Sequence, residues 1–248
     1  MAEKTKDDLL YRDEHWLFEE LITQGKTEKQ VALENGWTLR VVQKWAQGYH
    51  LGENGFRKLK TLSDLQRSLV RASILGDGHI TPEGIFIVSH CAQQRDYLFW
   101  KYNLLKDCCK TAPAYYPGSL KTIRGQLTTA SGAYRFNTRK IYQLQDMRST
   151  LSRGEIVRTL TPFELAIWIL DDGYRDRWTW DLCLGQPDAE LYSAVAEKCQ
   201  EWQLTYSLRT DERYIRFHNA ATRHIDEIIL ANIPNNLDIV QAKICERG

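Results

Sequence analysis

The chain has no uninterrupted apolar run of about 18 residues, the length that a bilayer-crossing helix needs, so no stretch of it reads as membrane-spanning. Its first residues, MAEKTKDDLL, lack the apolar core of an export signal. The expected location is therefore intracellular, in the cytoplasm or an organelle matrix. The six cysteines (Cys91, Cys108, Cys109, Cys183, Cys199 and Cys245) show no CxxC pairing, which reads as reduced thiols and argues against structural zinc. No segment alternates strand, helix and strand around a Gly-rich phosphate loop, so a nucleotide-binding sheet is excluded. Excess charge is also missing. The formal net charge is only +1, little for a chain that handles a polyanion.

That charge is unevenly placed. Between Leu120 and Leu160 stand eight basic residues (Lys121, Arg124, Arg135, Arg139, Lys140, Arg148, Arg153 and Arg158) against two acids, Asp146 and Glu155. Interleaved with Thr, Gln, Tyr and Ser, so one-sided a run fits a phosphate-contacting face better than a merely solvated one.

The most informative stretch is Thr161 to Gly173, TPFELAIWILDDG. Thr161 reads as a helix N-cap, Pro162 as the first helical position and Glu164 as the return arm of a capping box. The apolar run that follows predicts a buried helix. It ends in Asp171-Asp172-Gly173. A helix C-terminus carries partial negative charge, so two acids there imply a cation that shares the site. The pattern occurs earlier, at Ser63 to Gly78, SDLQRSLVRASILGDG. Ser63 and Gln66 form the capping box, Leu65, Leu69, Ala72 and Gly76 share one face, and the helix stops at Asp77-Gly78. One Asp-Gly helix end is an ordinary turn former. Two of them, on capped apolar helices whose aspartates stand 95 positions apart, suggest an internal duplication with a metal-binding purpose.

Val70-Arg71-Ala72-Ser73-Ile74-Leu75-Gly76-Asp77-Gly78 and Leu165-Ala166-Ile167-Trp168-Ile169-Leu170-Asp171-Asp172-Gly173 resemble the paired LAGLIDADG motifs of a single-chain homing endonuclease. The resemblance covers about residues 61 to 245. It departs from the family where Ile167 and Asp171 occupy positions that are often small, which predicts an asymmetric helix crossing.

The resemblance implies an α+β fold: a pseudo-twofold, duplicated αββαββα saddle of two antiparallel sheets, with the motif helices packed on the pseudo-axis. The first half is expected at 61–155 and the second at 156–248. Each half then reads as helix, two strands, helix, two strands and helix. The expected elements are strands at 79–81 and 85–89, a helix at 94–109, strands at 114–120 and 126–137, and a helix at 141–151. In the second half they are a strand at 178–184, a helix at 189–202, strands at 205–210 and 214–218, and a helix at 221–231.

Residues 1–55 read as a separate all-α unit with the spacing of a helix-turn-helix, or as a plain three-helix bundle. Its third helix would present Arg40, Gln43, Lys44 and Gln47. Residues 48–60 read as a linker.

By resemblance, the saddle strands would read DNA through Lys121, Arg124, Gln126, Thr128, Arg175, Arg177, Arg209, Arg213 and Arg216, with Arg135, Arg139 and Lys140 adding phosphate contacts. The expected partner is double-stranded DNA with a long target site, bound by a monomer that needs no protein partner. Hydrolysing a phosphodiester needs an in-line water and charge stabilisation on the attacking and leaving oxygens, which carboxylate-held divalent ions supply. Oxygen ligands favour Mg²⁺ (or Mn²⁺) over zinc. Asp77 and Asp172 are the expected ligands and catalytic carboxylates, with the preceding Gly76 and Asp171 completing the set. His90 and Gln186, 13 and 14 positions after the two aspartates, match the family's water-organising position, with Gln94 in reserve. The family's basic residue is sought at Arg139 or Lys140 in the first half and has no counterpart in the second. Two other readings stay open: a non-cleaving DNA-binding regulator on this scaffold, and an intron RNA maturase.

Overall fold

The structure is a computed structural model that describes residues 10–49, 51, 61–118, 120–123, 126–129, 131–209 and 213–245. Most of the expected linker, and Arg124 among the candidate DNA contacts, lie outside the described residues. The chain divides into two compact units, Met1–Thr61 with Lys140–Tyr142, and Leu62–Arg139 with Gln143–Gly248.

The first unit is helical. Helix α1 (Glu14–Phe18) is capped by the Asp13 carboxylate, which accepts from the Trp16 N–H, and runs into a π-helical turn at Glu19–Thr23. Helix α2 (Glu28–Glu34) starts with a reciprocal Thr27–Gln30 capping box. Gly36, at φ +66°, makes the turn to α3 (Leu39–Gly48), a backbone conformation that favours glycine. Leu17, Leu21, Val31, Ala32, Val42, Ala46 and Leu51 form the core, with Trp16, Trp37 and Trp45 packed around it. Burying Val42 and Ala46 turns Arg40, Gln43, Lys44 and Gln47 to the exposed side of α3.

The second unit is α+β. In chain order it runs α4 (Asp64–Leu75), β1 (Gly78–Ile80), β2 (Phe86–Cys91), α5 (Arg95–Leu105), β3 (Ala114–Tyr116), β4 (Leu120–Ile123), β5 (Gln126–Thr129), β6 (Ala133–Asn137), α6 (Tyr142–Thr150) and α7 (Arg153–Arg158). It continues with α8 (Pro162–Asp172), β7 (Gly173–Arg175), β8 (Thr179–Cys183), α9 (Ala189–Glu201), β9 (Tyr206–Arg209), β10 (Tyr214–His218), α10 (Ala220–Asn232) and α11 (Asp238–Val240). Two antiparallel four-stranded sheets repeat one topology, β1-β2-β6-β3 and β7-β8-β10-β9, as the duplication predicts. In each, one face is apolar: Phe86, Val88 and Phe136 in the first, Trp180, Leu182, Ile215 and Phe217 in the second, all buried. The period of two then leaves Ser89, Arg135 and Asn137, and Asp181, Tyr214 and Arg216, on the opposite faces.

Three expected elements are subdivided or shortened. The strand sought at 126–137 is two strands, β5 pairing with β4 and β6 with β2, whose register the Ala92 N–H to Gly132 carbonyl bond extends by one pair. The strand at 114–120 stops at Tyr116, and β4 pairs with β5 in a separate hairpin that has no counterpart among the described residues of the second half. The helix at 94–109 is α-helical only over Arg95–Leu105, with 3-10 turns at both ends.

Helices α4 and α8 carry the capping boxes read from the sequence. Ser63 and Gln66 exchange bonds at one start, Thr161 and Glu164 at the other. The two helices pack against each other, and the Arg71 Nε donates across to Glu164 Oε1 at 2.9 Å, a carboxylate 2% exposed.

Candidate active site

Both motif helices deliver an aspartate to the same end of the packed pair. Helix α4 closes at Gly76, so Asp77 stands just beyond its tip with its side chain 38% exposed. Helix α8 ends on Asp172, and Gly173 turns the chain into β7. Only glycine fits there, since a β-carbon at position 173 would stand 2.3 Å from the Ile169 carbonyl oxygen. Asp171 lies over Gly76, where a β-carbon would approach Asp171 Cβ to 2.5 Å.

The Asp171 side chain is fully buried and held from one side. The Lys101 Nζ donates to its Oδ1 at 2.6 Å and its Oδ2 at 2.8 Å, and the Tyr97 hydroxyl donates to Oδ1 at 2.9 Å. Burial pulls the Lys101 ammonium below the usual lysine range, and Asp171, Asp77 and Asp172 pull it back up. Burial likewise pushes the Tyr97 hydroxyl well above the usual tyrosine range, helped by Asp171. His90, on β2, sits between the two carboxylates with its side chain wholly buried. Its Nδ1 lies 3.1 Å from Asp77 Oδ2 and its Nε2 3.9 Å from Asp171 Oδ1. Neither contact is aligned as a hydrogen bond, and both ring nitrogens are buried without a hydrogen-bond partner.

Asp77, His90 and Asp171 bring one potential ligand atom each within 4.8 Å of one another. Two carboxylates and an imidazole with unsatisfied nitrogens fit a divalent cation. The Asp172 carboxylate has a different setting. Burial first, then the nearby Asp77 and Asp171 charges, push its pKa up to about 7, while Arg153 and Lys243 hold it down.

These two cations were not singled out from the sequence as site residues. Arg153, at the start of α7, donates to the Leu75 carbonyl of α4 at 3.0 Å and to the Leu184 carbonyl at 2.9 Å. Lys243, in the π-helical turn Gln241–Cys245, donates to the Leu170 and Gly173 carbonyls of α8 at 2.9 and 2.7 Å. Each helix end therefore carries a cation against its unsatisfied carbonyls, where the helix dipole favours one. The second half does have a basic residue at its helix tip, contrary to expectation. In the first half that place belongs to Arg153. Arg139 is exposed, its N–H bonded to the Cys108 carbonyl, and Lys140 falls with the first unit.

The expected match of His90 with Gln186 is corrected by strand register. Gly78 pairs with Val88 and Gly173 with Leu182, so the counterpart of His90 is the fully buried Leu184. The second hairpin is one residue shorter than the first. Gln186 stands exposed in the turn beyond it, and Gln94 is the N-cap of α5.

Several expected DNA contacts share the outward sheet faces. Arg135 is exposed on β6 with its guanidinium over the Tyr116 ring, and Arg209 lies over Tyr214. Arg216 forks onto Asp181, both contacts at 2.6 Å. Arg177 is exposed beside the exposed Trp178, and Arg213 is exposed at φ +60°. Lys121 and Thr128 are register partners in the β4–β5 hairpin, as are Ile123 and Gln126. Arg175 is the exception. It pairs with Trp180 in register, on the helix-covered face, and its guanidinium is held by Asp226 of α10 with contacts at 2.9 and 3.3 Å.

A model of the LAGLIDADG DNA endonuclease family matches residues 67–225. The chain belongs to that family. Among solved structures it is similar to the homing endonuclease I-WcaI bound to its DNA recognition sequence, with a TM-score of 0.60 and 14% identity over 75% of this chain and 88% of that one. That likeness is one of fold. Among curated proteins it is 36% identical over 118 residues to Protein RecA of Mycolicibacterium chitae, covering 45% of this chain and 26% of that protein. It is 35% identical over 159 residues to Protein RecA of Mycolicibacterium flavescens, covering 60% and 36%. The chain thus spans about a third or less of the curated relatives it matches. No helix among the described residues is long and apolar enough to cross a membrane.

Proposed function

We propose that the chain is a site-specific endonuclease of the mobile-intron homing type, which cuts both strands of a long double-stranded DNA target and needs Mg²⁺ or Mn²⁺. The observation that carries this reading is the arrival of Asp77 and Asp172 together at one end of the packed α4–α8 pair, close enough that the Asp77 charge raises the Asp172 pKa. Each aspartate serves one strand. Asp77 and Asp172 would each hold a divalent cation, which when bound stabilises the charge that develops on the phosphate oxygens of its strand. Asp171, with most of its accepting capacity taken by Lys101 and Tyr97, lends fixed negative charge from behind. His90 orients the Asp77 carboxylate, and Gln186 stands where an exposed polar side chain reaches water or DNA. Arg153 and Lys243 neutralise the helix ends on which a phosphate would otherwise meet bare carbonyls.

The outward sheet faces, with Arg135, Arg209, Arg213 and Arg216 and the neighbouring Arg177 turn, take the DNA. Lys121, Gln126 and Thr128 add contacts from the β4–β5 hairpin. Residues 1–55 form an accessory DNA-reading module through Arg40, Gln43, Lys44 and Gln47, and residues 61–155 and 156–248 are the two halves of the cutting domain. Two motifs in one chain supply what a one-motif protein obtains by dimerising, so the protein acts as a monomer. The deciding experiment incubates the protein and Mg²⁺ with a library of random duplexes and sequences the ends produced. Recurrent double-strand ends at one consensus support the reading. Selective retention of duplexes without any cleavage would replace it with a non-cutting regulator.

A further inference from the structure

Strand register and helix caps align the two halves residue by residue, and at four positions the alignment is one-sided. His90 is matched by Leu184. The N-caps of α5 and α9 are Gln94 and Asp188, so Tyr97 and Lys101, three and seven residues past the cap, are matched by Leu191 and Val195. Asp171, one residue before the motif aspartate, is matched by Gly76. The first member of every pair is polar, and the second is apolar or lacks a side chain. Leu184, Leu191 and Val195 are simply core, none more than 4% exposed.

The four polar residues form one cluster rather than four separate exceptions. Lys101 and Tyr97 both bind Asp171, the His90 and Tyr97 rings lie 5.0 Å apart, and His90 bridges the space from Asp171 to Asp77. The rest of the two ends does correspond: Asp77 with Asp172, and Arg153 on the Leu75 carbonyl with Lys243 on the equivalent Leu170 carbonyl. Burying a lysine and an aspartate carries a desolvation cost, of which their attraction returns only part. The second half fills the same space with apolar side chains, so the fold does not need the cluster.

We propose that His90, Tyr97, Lys101 and Asp171 are a positioning device for one end of the site only. Lys101 and Tyr97 fix Asp171, Asp171 and Tyr97 confine the His90 ring, and the ring, with its Nδ1 3.1 Å from Asp77 Oδ2, limits where the Asp77 carboxylate can sit. The two DNA strands are then cut by unequal ends, and only the strand served by Asp77 depends on the cluster. This rests on the endonuclease reading above.

The test uses the full chain, Mg²⁺ and an end-labelled duplex recovered from the random library, with each strand's cleavage followed separately. His90→Leu removes a ring whose nitrogens lack hydrogen-bond partners, so it should fold. The quadruple variant His90→Leu/Tyr97→Leu/Lys101→Val/Asp171→Gly gives this end the residues of the other, three taken from the second half and the glycine from position 76 of the first. Both should slow cleavage of one strand by about tenfold or more, the scale expected when a reacting group loses its placement. The other strand should be cut at nearly the wild-type rate, so that nicked duplex accumulates, and Asp77→Asn should affect the same strand. Mn²⁺ binding to the DNA-free protein, followed by electron paramagnetic resonance, gives a second readout. The quadruple variant and Asp77→Asn should weaken the same bound equivalent, and Asp172→Asn should leave it in place. Variants that slow both strands alike, or neither, overturn the inference while leaving the enzyme an endonuclease. A wild-type protein that cuts neither strand of any duplex overturns the endonuclease reading itself.

Discussion

Asp171 rests on Gly76 so closely that position 76 has no room for a β-carbon, which would come within 2.5 Å of Asp171 Cβ and 3.0 Å of its Oδ2. Asp171 cannot retreat, since Lys101 and Tyr97 hold it from behind. Gly76→Ala should therefore destabilise the protein by about 1–3 kcal/mol, the usual cost of overpacking. Urea unfolding checks this. An unchanged midpoint would mean that the helix ends are looser than their distances imply.

Asp172 gives a pH dependence of definite sign. Its folded-state pKa of about 7 lies above the ordinary carboxylate value of 3.8, so the folded state favours the protonated form. That contribution is fully present below the ordinary value and is lost as pH rises through the folded value. In metal-free protein with chelator present, Asp172→Asn should be neutral near the acid end of this window and stabilising above it. Discounted for partial solvent exposure, the gain is on the order of 1 kcal/mol. It should appear as a melting temperature higher by roughly 2–4 °C for a domain of this size. Equal melting curves for wild type and variant across the window would remove the raised pKa.

Asp77→Asn and Asp172→Asn should each abolish double-strand cleavage while leaving specific DNA binding largely intact, because both carboxylates sit at the helix tips and not on the strand faces. Cleavage and gel-shift assays on the same duplex separate the two properties. Full cutting by either variant would end its assignment as a cation ligand.

Deleting residues 1–55 should shorten the protected DNA at one end and lower the salt slope of binding, as fewer phosphates are neutralised. Cut positions and the cation requirement should not change, since Asp77 and Asp172 lie in the other unit. Footprinting across a salt series reads both effects. An unaltered footprint and slope would assign the exposed α3 face a role other than DNA contact.

What the sequence made legible was local. Ser63 with Gln66, and Thr161 with Glu164, are caps completed within four residues, and both motif helices start where those residues stand. The same device at Ser152 with Glu155 begins α7, whose six residues are too few to show a helical period in the sequence. Lys101 falls inside the helix expected at 94–109, and nothing near it in sequence shows that it is buried. Its partner Asp171 is 70 residues away. Arg153 and Lys243 were missed for the same reason, since the carbonyls they cover belong to helices met elsewhere in the chain. Counting from the aspartates equated His90 with Gln186. Only the ladder reveals the shorter second hairpin. Arg175 was assigned to the outward face, but the parity of β7 turns it towards Asp226.

Arg216 reaches the outward face of the second sheet already gripped, with two guanidinium nitrogens on the two oxygens of Asp181. Such a fork has surrendered its rotamer freedom during folding, so a base edge placed against it meets a rigid reader instead of a searching one. The reader also has two signs. The guanidinium suits the acceptors of guanine, and the carboxylate suits the amino group of cytosine. Changing Arg216 alone would leave Asp181 as a bare negative charge facing a polyanion. On the proposed DNA face Arg216 and Asp181 would act as one unit, and an attempt to redirect that contact would have to change both.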